Sequence, residues 1–188
     1  MDRRSFLAAA LAAAGAARPL RLAAGTGGAH AFTFESIDGG PFEMAAYAGR
    51  PILVVNTASR CAFTPQYDAL QALWSEYRNV GLVVLGAPSR DFGRQEYEDT
   101  ARIKEFCSVN FAIDFPMTEL VRVKGEGAHP FYAWAREEAR RADLPTPRWN
   151  FHKYLIGPDG GLAGAWDSNT PPDHPEIRAA VEALLPRS

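Results

Sequence analysis

Cysteine is scarce in this sequence, which has 188 residues and only two cysteines, Cys61 and Cys107. They lie 46 positions apart, so the chain has no C-x-x-C pair of the kind used by dithiol oxidoreductases and zinc knuckles. For an exported protein, the simplest interpretation of two cysteines is a structural disulfide. Their number and spacing leave both that bond and a chemical role open.

An excess of charge of either sign is also missing, since 20 basic residues face 22 acidic ones and the net charge is −2 at pH 7. Nothing in this balance attracts nucleic acid or an anionic membrane, so we exclude both as partners. Apolar residues make up 47% of the chain and charged residues 22%, which is typical of a globular protein with a sizeable core. The length suits one domain together with an export segment.

The N-terminus has no apolar run long enough to anchor the chain in a membrane. Its apolar stretch at 8–17 spans about ten residues, whereas a membrane span needs about twenty. This stretch follows the sequence RRSFL at 3–7 and resembles a twin-arginine export signal, and AHA at 29–31 matches the A-x-A site of signal peptidase. We therefore predict a twin-arginine signal peptide at 1–31, a mature domain at 32–188 and export to the periplasm. An alanine-rich leader without a targeting role is the alternative.

Short apolar runs alternate with helical patterns along the rest of the chain. The runs at 51–56 and 81–86 are apolar throughout, which is typical of strands buried on both faces. Thr64-Pro65 predicts the N-cap and first residue of a helix that continues to Asn79. The other predicted elements are strands at 32–37, 151–156 and 162–166 and helices at 101–110, 131–141 and 175–185. This order predicts an α/β, thioredoxin-like fold in which a mixed central sheet has helices on both faces.

Cys61 lies between the buried strand at 51–56 and the helix predicted to begin at Thr64-Pro65. In open α/β sheets, ligands bind at this carboxyl edge of the strands. The unpaired amides and the dipole of the helix favour a thiolate there by about 0.5–2 kcal/mol. Because a contribution of that size is modest, we expect further hydrogen-bond donors around the sulfur.

Three segments resemble signatures of the glutathione peroxidase family. The sequence NTASRCAFTPQY at 56–67 is similar to the segment around the peroxidatic cysteine or selenocysteine of that family. The sequence LGAPSRDFGRQE at 85–96 resembles the second signature of the family, and WNFHKYL at 149–155 resembles the third. Order and spacing agree, and the likeness extends from Phe32 to Leu185. The resemblance implies a peroxidase that uses a thiol co-substrate, thioredoxin or glutathione, and no bound cofactor or metal.

By this resemblance Cys61, Gln95, Trp149 and Asn150 form a catalytic tetrad. Two amides and an indole N–H are neutral donors, which stabilise a thiolate without pairing it in a salt bridge. The same donors suit a hydroperoxide whose O–O bond is breaking, since negative charge develops on the leaving oxygen. Taken singly, a tryptophan is more often a core residue and a glutamine a solvated loop residue.

Cys107 has two interpretations. On the predicted helix at 101–110 it shares a face with Ile103, which favours a small core residue. However, FCSVNF at 106–111 resembles the segment that carries the resolving cysteine in thioredoxin-dependent family members. The resemblance therefore implies a disulfide between Cys61 and Cys107 during turnover. A helix of about ten residues is marginal without tertiary contacts, so it can unwind locally to allow that bond.

The chain departs from the family pattern at several positions. Ser89 and Arg90 belong to APSRD at 87–91, where Phe-Pro-Cys-Asn-Gln is usual, so the third cysteine of many thioredoxin-type members is missing. Tyr97-Glu98 replaces Pro-Gly, and His152 replaces a threonine, which raises the hypothesis of a pH-dependent donor beside the tetrad. Ala62 stands where glycine is usual. The short segment at 140–148 resembles members without the oligomerisation insert and predicts a monomer with an open site.

Other functions of an exported thioredoxin-like protein fit less well. A copper chaperone or cytochrome-assembly factor needs two cysteines three or four residues apart, and Cys61 has no such neighbour. A dithiol oxidoreductase needs a cysteine where Thr64 stands. A non-catalytic binding module would have no need for all four tetrad residue types. The sequence therefore favours a peroxidase of hydrogen peroxide and organic or lipid hydroperoxides.

Overall fold

A computed structural model describes residues 28–186, so the predicted twin-arginine pair lies outside the described residues. The strands are β1 (Thr33–Glu35), β2 (Pro41–Glu43), β3 (Ile52–Thr57), β4 (Val83–Pro88), β5 (Lys153–Ile156) and β6 (Leu162–Trp166). The helices are α1 (Gln66–Tyr77), α2 (Thr100–Phe111), α3 (Pro130–Arg141) and α4 (Pro175–Leu184). Within the described range, no helix has both the length and the apolar character needed to cross a membrane.

The central sheet has the order β4-β3-β5-β6 and is mixed. Strands β3 and β4 are parallel, with Ile52 opposite Val83, whereas β5 and β6 run antiparallel to their neighbours. Strands β1 and β2 form a separate antiparallel hairpin. Every residue of β3 and β4 is buried, which explains why both strands are mostly apolar and do not alternate; Asn56 and Thr57 at the end of β3 are the polar exceptions.

Helices cover the sheet on both faces, as predicted. Because successive side chains of a strand point to opposite faces, Leu53 and Val55 of β3 pack in one core and Ile52 and Val54 in another. The first core is completed by α1, α2 and α4, and the second by α3 and the β1–β2 hairpin. The α/β, thioredoxin-like prediction is confirmed.

Three local predictions differ from the structure. Strand β2 was not predicted. It has only three residues, of which Pro41 and Glu43 are uncommon in strands and Phe42 alone is buried. Helix α1 begins at Gln66, two residues after Thr64, and Thr64 makes no capping bond to it. The strand predicted at 151–156 begins at Lys153, since Phe151 has a φ of 63° and cannot continue a ladder.

The first described residues form a short 3-10 turn, Ala29–Ala31, that packs against the β5–β6 connection. Ala29 is fully buried, and its N–H donates to the Gly160 carbonyl at 2.8 Å. His30 is buried against Gly160, where a Cβ would lie 2.8 Å from the imidazole Nδ1. The predicted cleavage point after Ala31 thus directly follows a packed segment, and processing there remains a prediction.

Candidate active site

The loop between β3 and α1 holds Cys61. The Cys61 side chain is 7% exposed, and its Sγ accepts a hydrogen bond from the backbone N–H of Phe63 at 3.4 Å. Thr64 shapes this loop, because its Oγ1 accepts from the Cys61 N–H at 3.0 Å and donates to the Ala58 carbonyl at 2.9 Å. This role of Thr64 explains why it does not cap α1. The tight turn places the sulfur among amides at the start of that helix.

The loop after β4 brings Gln95 beside the Cys61 loop. The backbone N–H of Arg60 donates to the Gln95 carbonyl at 2.9 Å, which joins the two loops. Gly93 has a φ of 67°, a conformation that glycine adopts without strain. A Cβ on Gly93 would lie 3.4 Å from both Gln95 Cγ and Trp149 Cη2, so the side chains of Gln95 and Trp149 converge at this glycine.

The segment before β5 carries Trp149 and Asn150. Trp149 is 39% exposed, whereas Asn150 is fully buried. Asn150 Nδ2 donates to Gln95 Oε1 at 3.1 Å and lies 3.4 Å from the Phe92 carbonyl. Because Asn150 holds the oxygen of the Gln95 amide, the end of Gln95 left to donate is its NH₂ group.

Asn56, at the carboxyl end of β3, fixes this third segment and was not predicted. Its Nδ2 donates to the Trp149 carbonyl at 3.1 Å, and its Oδ1 accepts from the His152 N–H at 3.2 Å. The Asn56 carbonyl accepts from the Phe151 N–H at 2.5 Å. Phe151 can therefore keep its left-handed backbone, which turns Trp149 and Asn150 toward Gln95. The only sequence signal was a buried asparagine at the end of an apolar run.

The structure thus places Gln95, Trp149 and Asn150 together and joins their cluster to the Cys61 loop through Arg60. Among the described residues, the hydrogen bond that Cys61 Sγ accepts comes from Phe63 and not from the tetrad side chains. The four predicted residues share one edge of the sheet, where β3 and β4 end.

Cys107 lies on α2 and is 1% exposed; like Cys61 it is a free thiol. Burial is the main cause that raises the pKa of Cys107 to about 11; the nearby Glu96 carboxylate adds to this rise, and the Tyr67 hydroxyl opposes it. Both cysteines belong to the same core cluster, on the face of the sheet covered by α1, α2 and α4. In this state Cys107 is held as a neutral thiol.

A buried carboxyl group lies near Cys107 and was not anticipated from the sequence. Glu96 is fully buried, and burial raises the pKa of its carboxyl group, an effect that the nearby Ser59, the Tyr97 N–H and the Arg60 charge oppose. Its Oε1 accepts from the Tyr97 N–H at 2.8 Å, while its Oε2 has no partner among the described residues. The buried Tyr67 hydroxyl lies within electrostatic range of Glu96 and Cys107. This group gives the core beside the Cys61 loop an unusual polarity.

His152 and Lys153 are both buried beside the tetrad. Burial lowers the pKa of His152 to about 3, so this ring stays neutral at ordinary pH, and the hypothesis of a pH-dependent donor near neutrality is wrong. Burial also lowers the pKa of Lys153 to about 7. Lys153 Nζ donates at 2.6 Å to Gln66 Oε1 and to the Thr170 carbonyl, which ties the first residue of α1 to the sheet. Among residues 28–186, no group of three or more His, Cys, Asp and Glu side chains is arranged to hold a metal ion.

A sequence model of the family described as glutathione peroxidase matches residues 29–136 of the chain. This chain belongs to the glutathione peroxidase family. A glutathione peroxidase of Lactococcus lactis is 37% identical over 154 residues, which cover 82% of this chain and 97% of that protein. A hydroperoxy fatty acid reductase of Synechocystis is 36% identical over 162 residues, covering 83% of this chain and 95% of the relative.

One solved structure and a further sequence relative agree with the family membership. The apo crystal structure of Trgpx matches with a TM-score of 0.65 and 32% sequence identity, covering 85% of this chain and 98% of that one. A glutathione peroxidase-like peroxiredoxin of Schizosaccharomyces pombe is 37% identical and covers 79% of this chain and 92% of its own length. The protein is therefore an oxidoreductase of the peroxidase type, acting on hydroperoxides.

Proposed function

We propose that Cys61 is the peroxidatic residue of this family member. Its thiolate attacks one peroxide oxygen and the O–O bond breaks, which leaves a sulfenic acid on Cys61 and an alkoxide or hydroxide that takes up a proton. The observation that carries this proposal is the hydrogen bond from Asn150 to Gln95 Oε1 beside the Cys61 loop. It leaves the NH₂ of a neutral amide as the donor for the reacting sulfur and oxygen.

The tetrad side chains divide into two roles. Gln95 and Trp149 supply the donors that stabilise the thiolate and the leaving oxygen, without a cation that would pair with the thiolate. Asn150 acts through Gln95, because its own NH₂ group is engaged with Gln95 Oε1, and it is therefore a positioning residue. Sulfur carries the redox change, so the reaction uses a thiol co-substrate and no bound cofactor.

The substrates in this proposal are hydrogen peroxide and organic hydroperoxides, including lipid hydroperoxides. Partial exposure of Trp149 supports an accessible site, and so does the name of the Synechocystis relative, a hydroperoxy fatty acid reductase. We propose a monomer, on the basis of the short segment at 140–148.

Cys107 is proposed to resolve the sulfenic acid. Its sulfur forms a bond to the Cys61 sulfur, water leaves, and the resulting disulfide is reduced by thioredoxin or glutathione. A disulfide requires Cα atoms within about 7 Å, and we expect α2 to unwind locally so that Cys107 can reach that distance. The peroxiredoxin names of relatives from Schizosaccharomyces pombe and Chlamydomonas reinhardtii support a thiol-based cycle.

The test is a steady-state assay of hydroperoxide consumption by residues 32–188, with thioredoxin and glutathione compared as reductants. We expect turnover with at least one of them and faster turnover with thioredoxin if Cys107 resolves. Absence of consumption with both reductants, in a protein with two free thiols, would contradict the proposed reaction.

Export is proposed from the sequence at 3–7, which the described residues do not include. Replacing Arg3 and Arg4 together by lysine should leave the precursor in the cytoplasm, because the export route reads the arginine pair. Cell fractionation and N-terminal sequencing test this proposal, with a mature start expected at Phe32. Bulk protein that begins at Met1 or Asp2 would rule the signal out.

A further inference from the structure

A cavity next to the Cys61 loop is lined by three arginines. Its volume is about 350 Å³, and we call it the arginine pocket; its lining residues are Arg60, Arg90, Tyr97, Glu98, Asp99 and Arg102. Guanidinium groups are well suited to bind carboxylates, so this cavity is a candidate site for an anionic ligand.

The arginine pocket has more cations than available anions. Glu98 is engaged by Arg90 Nη1 at 2.6 Å, and Asp99 Oδ1 accepts from the Ala101 N–H at 2.8 Å at the start of α2. Arg60 and Arg102 have no carboxylate partner among the described residues. With three guanidinium groups against the carboxylates of Glu98 and Asp99, the pocket keeps an excess of one positive charge for an anion from outside.

The guanidinium groups of Arg60 and Arg102 are held in place by an aromatic ring. The Cζ atoms of Arg60 and Arg102 lie over the Tyr97 ring, at 4.8 Å and 4.2 Å from its centroid. Arg60 Nη2 also donates to the Glu96 carbonyl at 3.0 Å. Such stacking limits the motion of the side chains, and a guanidinium fork so restrained loses little entropy when it binds a carboxylate.

A second cavity, along α2, shares two lining residues with the arginine pocket. Tyr97 and Arg102 line both cavities, and the second, of about 210 Å³, adds the apolar Phe106 and Val109 and the polar Glu105 and Asn110. Val109 is 76% exposed, which is unusual for a large apolar side chain. Together the two cavities offer guanidinium groups beside exposed apolar surface, a combination that suits an amphiphilic acid.

We propose that the arginine pocket binds the carboxylate of an amphiphilic hydroperoxide, so that free hydroperoxy fatty acids are preferred over their neutral esters. This inference rests on the proposed function, because the peroxide must reach Cys61. Arg60 directly precedes Cys61, and its backbone N–H bonds to the Gln95 carbonyl, so the arginine pocket adjoins the loop that carries Cys61. Arginine binds carboxylates through two parallel N–H···O bonds, which an ester cannot match.

The experiment compares linoleic acid hydroperoxide with its methyl ester in single turnovers, below the micelle concentrations and without any thiol. Loss of free Cys61 is followed by quenching and mass spectrometry, with hydrogen peroxide as the reference oxidant. We expect the acid to oxidise the parent protein about tenfold faster than the ester, equivalent to about 1.4 kcal/mol. In Arg102→Gln and in Arg60→Gln this acid-to-ester ratio should fall toward one, and added salt should lower it in the parent.

Lys104→Gln is the matched control, since it removes an exposed cation from the same helix that is already paired with Asp38 at 2.5 Å. Its acid-to-ester ratio should equal that of the parent. If the parent reacts with hydrogen peroxide but oxidises at equal rates with acid and ester, the proposed carboxylate binding is wrong and the proposed peroxidase function still stands. A parent that fails to react with hydrogen peroxide would overturn both. Glutathione also carries carboxylates, so an arginine effect confined to reduction by glutathione would assign the pocket to the reductant and overturn the proposal.

Discussion

The two cysteines of this protein differ in what surrounds them more than in how deeply they lie. Cys61 is 7% exposed and Cys107 is 1% exposed, and both belong to one core cluster. Cys61 Sγ accepts a backbone N–H and lies in the loop joined to Gln95. Cys107 is held by an apolar helix face near a buried carboxyl group, and its pKa is raised to about 11. Burial alone therefore does not distinguish the two thiols, and we expect the donors around each sulfur to decide which one reacts.

The largest effect is expected when Cys61 is replaced, because the proposed reaction begins at its thiolate. Cys61→Ser should abolish hydroperoxide consumption while the fold remains intact, because a neutral hydroxyl does not replace a thiolate as nucleophile. Peroxide loss in an assay with excess reductant measures it, with circular dichroism as the check on folding. Near-parental turnover in this variant would mean that the donor-rich site is not where the chemistry occurs.

The next effect tests the donors that distinguish the two sites. Gln95→Ala and Trp149→Phe should each slow the oxidation of Cys61 by about 10²-fold, which is typical of removing one oxyanion donor. Asn150→Ala should act in the same direction by releasing Gln95. Stopped-flow oxidation by hydrogen peroxide measures the rate, and alkylation of Cys61 by iodoacetamide reports thiolate formation separately.

Gln71→Ala is the control for these variants, because it removes a glutamine of α1 that bonds to Asp114 on the protein surface. It should leave both rates at parental values. If alkylation and oxidation of Cys61 were unchanged in all three tetrad variants, the assignment of the donors would be wrong.

A smaller effect on the first turnover, but a large one on cycling, is expected at Cys107. Cys107→Ser should still consume one equivalent of peroxide, then stall with thioredoxin and accumulate over-oxidised Cys61. In the parent, one equivalent should produce a Cys61–Cys107 disulfide together with lost hydrogen-exchange protection in α2 but not in β3. If Cys107→Ser cycled with thioredoxin at the parental rate, Cys107 would be only a core residue without a resolving role.

The smallest effect follows from protonation of Cys107. The pKa of Cys107 is about 11 in the folded protein, and the reference value of 9.0 stands for the unfolded chain. Between pH 9 and pH 11 the folded state therefore retains a proton that the unfolded chain has lost. The stabilisation is fully present below pH 9 and is lost as the pH rises toward 11. Between pH 8 and pH 10 the parent should lose about 1 kcal/mol of unfolding free energy relative to Cys107→Ala, measured by urea denaturation. Parallel pH profiles of the two proteins would contradict the buried, neutral thiol.

Local patterns were sufficient to predict most of this fold and the segments of the site. The apolar runs of β3 and β4 define strands buried on both faces, and the helix bounds differ from the predicted ones by one or two residues. The resemblance brought Cys61, Gln95, Trp149 and Asn150 to attention, and three of them meet in the structure.

What could not be predicted depends on contacts between distant segments. Thr64 has the sequence of a helix cap, but its hydroxyl bonds to Ala58 and to the Cys61 N–H. The clamp of Asn56 on the segment before β5 joins residues 93 positions apart. Glu96 appears in the sequence as an ordinary charged loop residue, and only the packing of the core reveals that it is buried. Propensity and periodicity do not contain such information, because it arises when the elements pack.

The packed turn at Ala29–Ala31 has a consequence for the timing of the proposed cleavage after Ala31. The Phe32 N–H donates to the Ala29 carbonyl at 3.2 Å, so the bond after Ala31 is part of the folded turn. A peptidase can cut there only in molecules whose turn has detached, and the rate then follows the opening equilibrium of that segment. If residues 1–31 are removed as predicted, the mature protein loses the Ala29 N–H that donates to the Gly160 carbonyl. Tighter docking of this turn should therefore slow the cleavage, and the cut protein has a bare N-terminal edge.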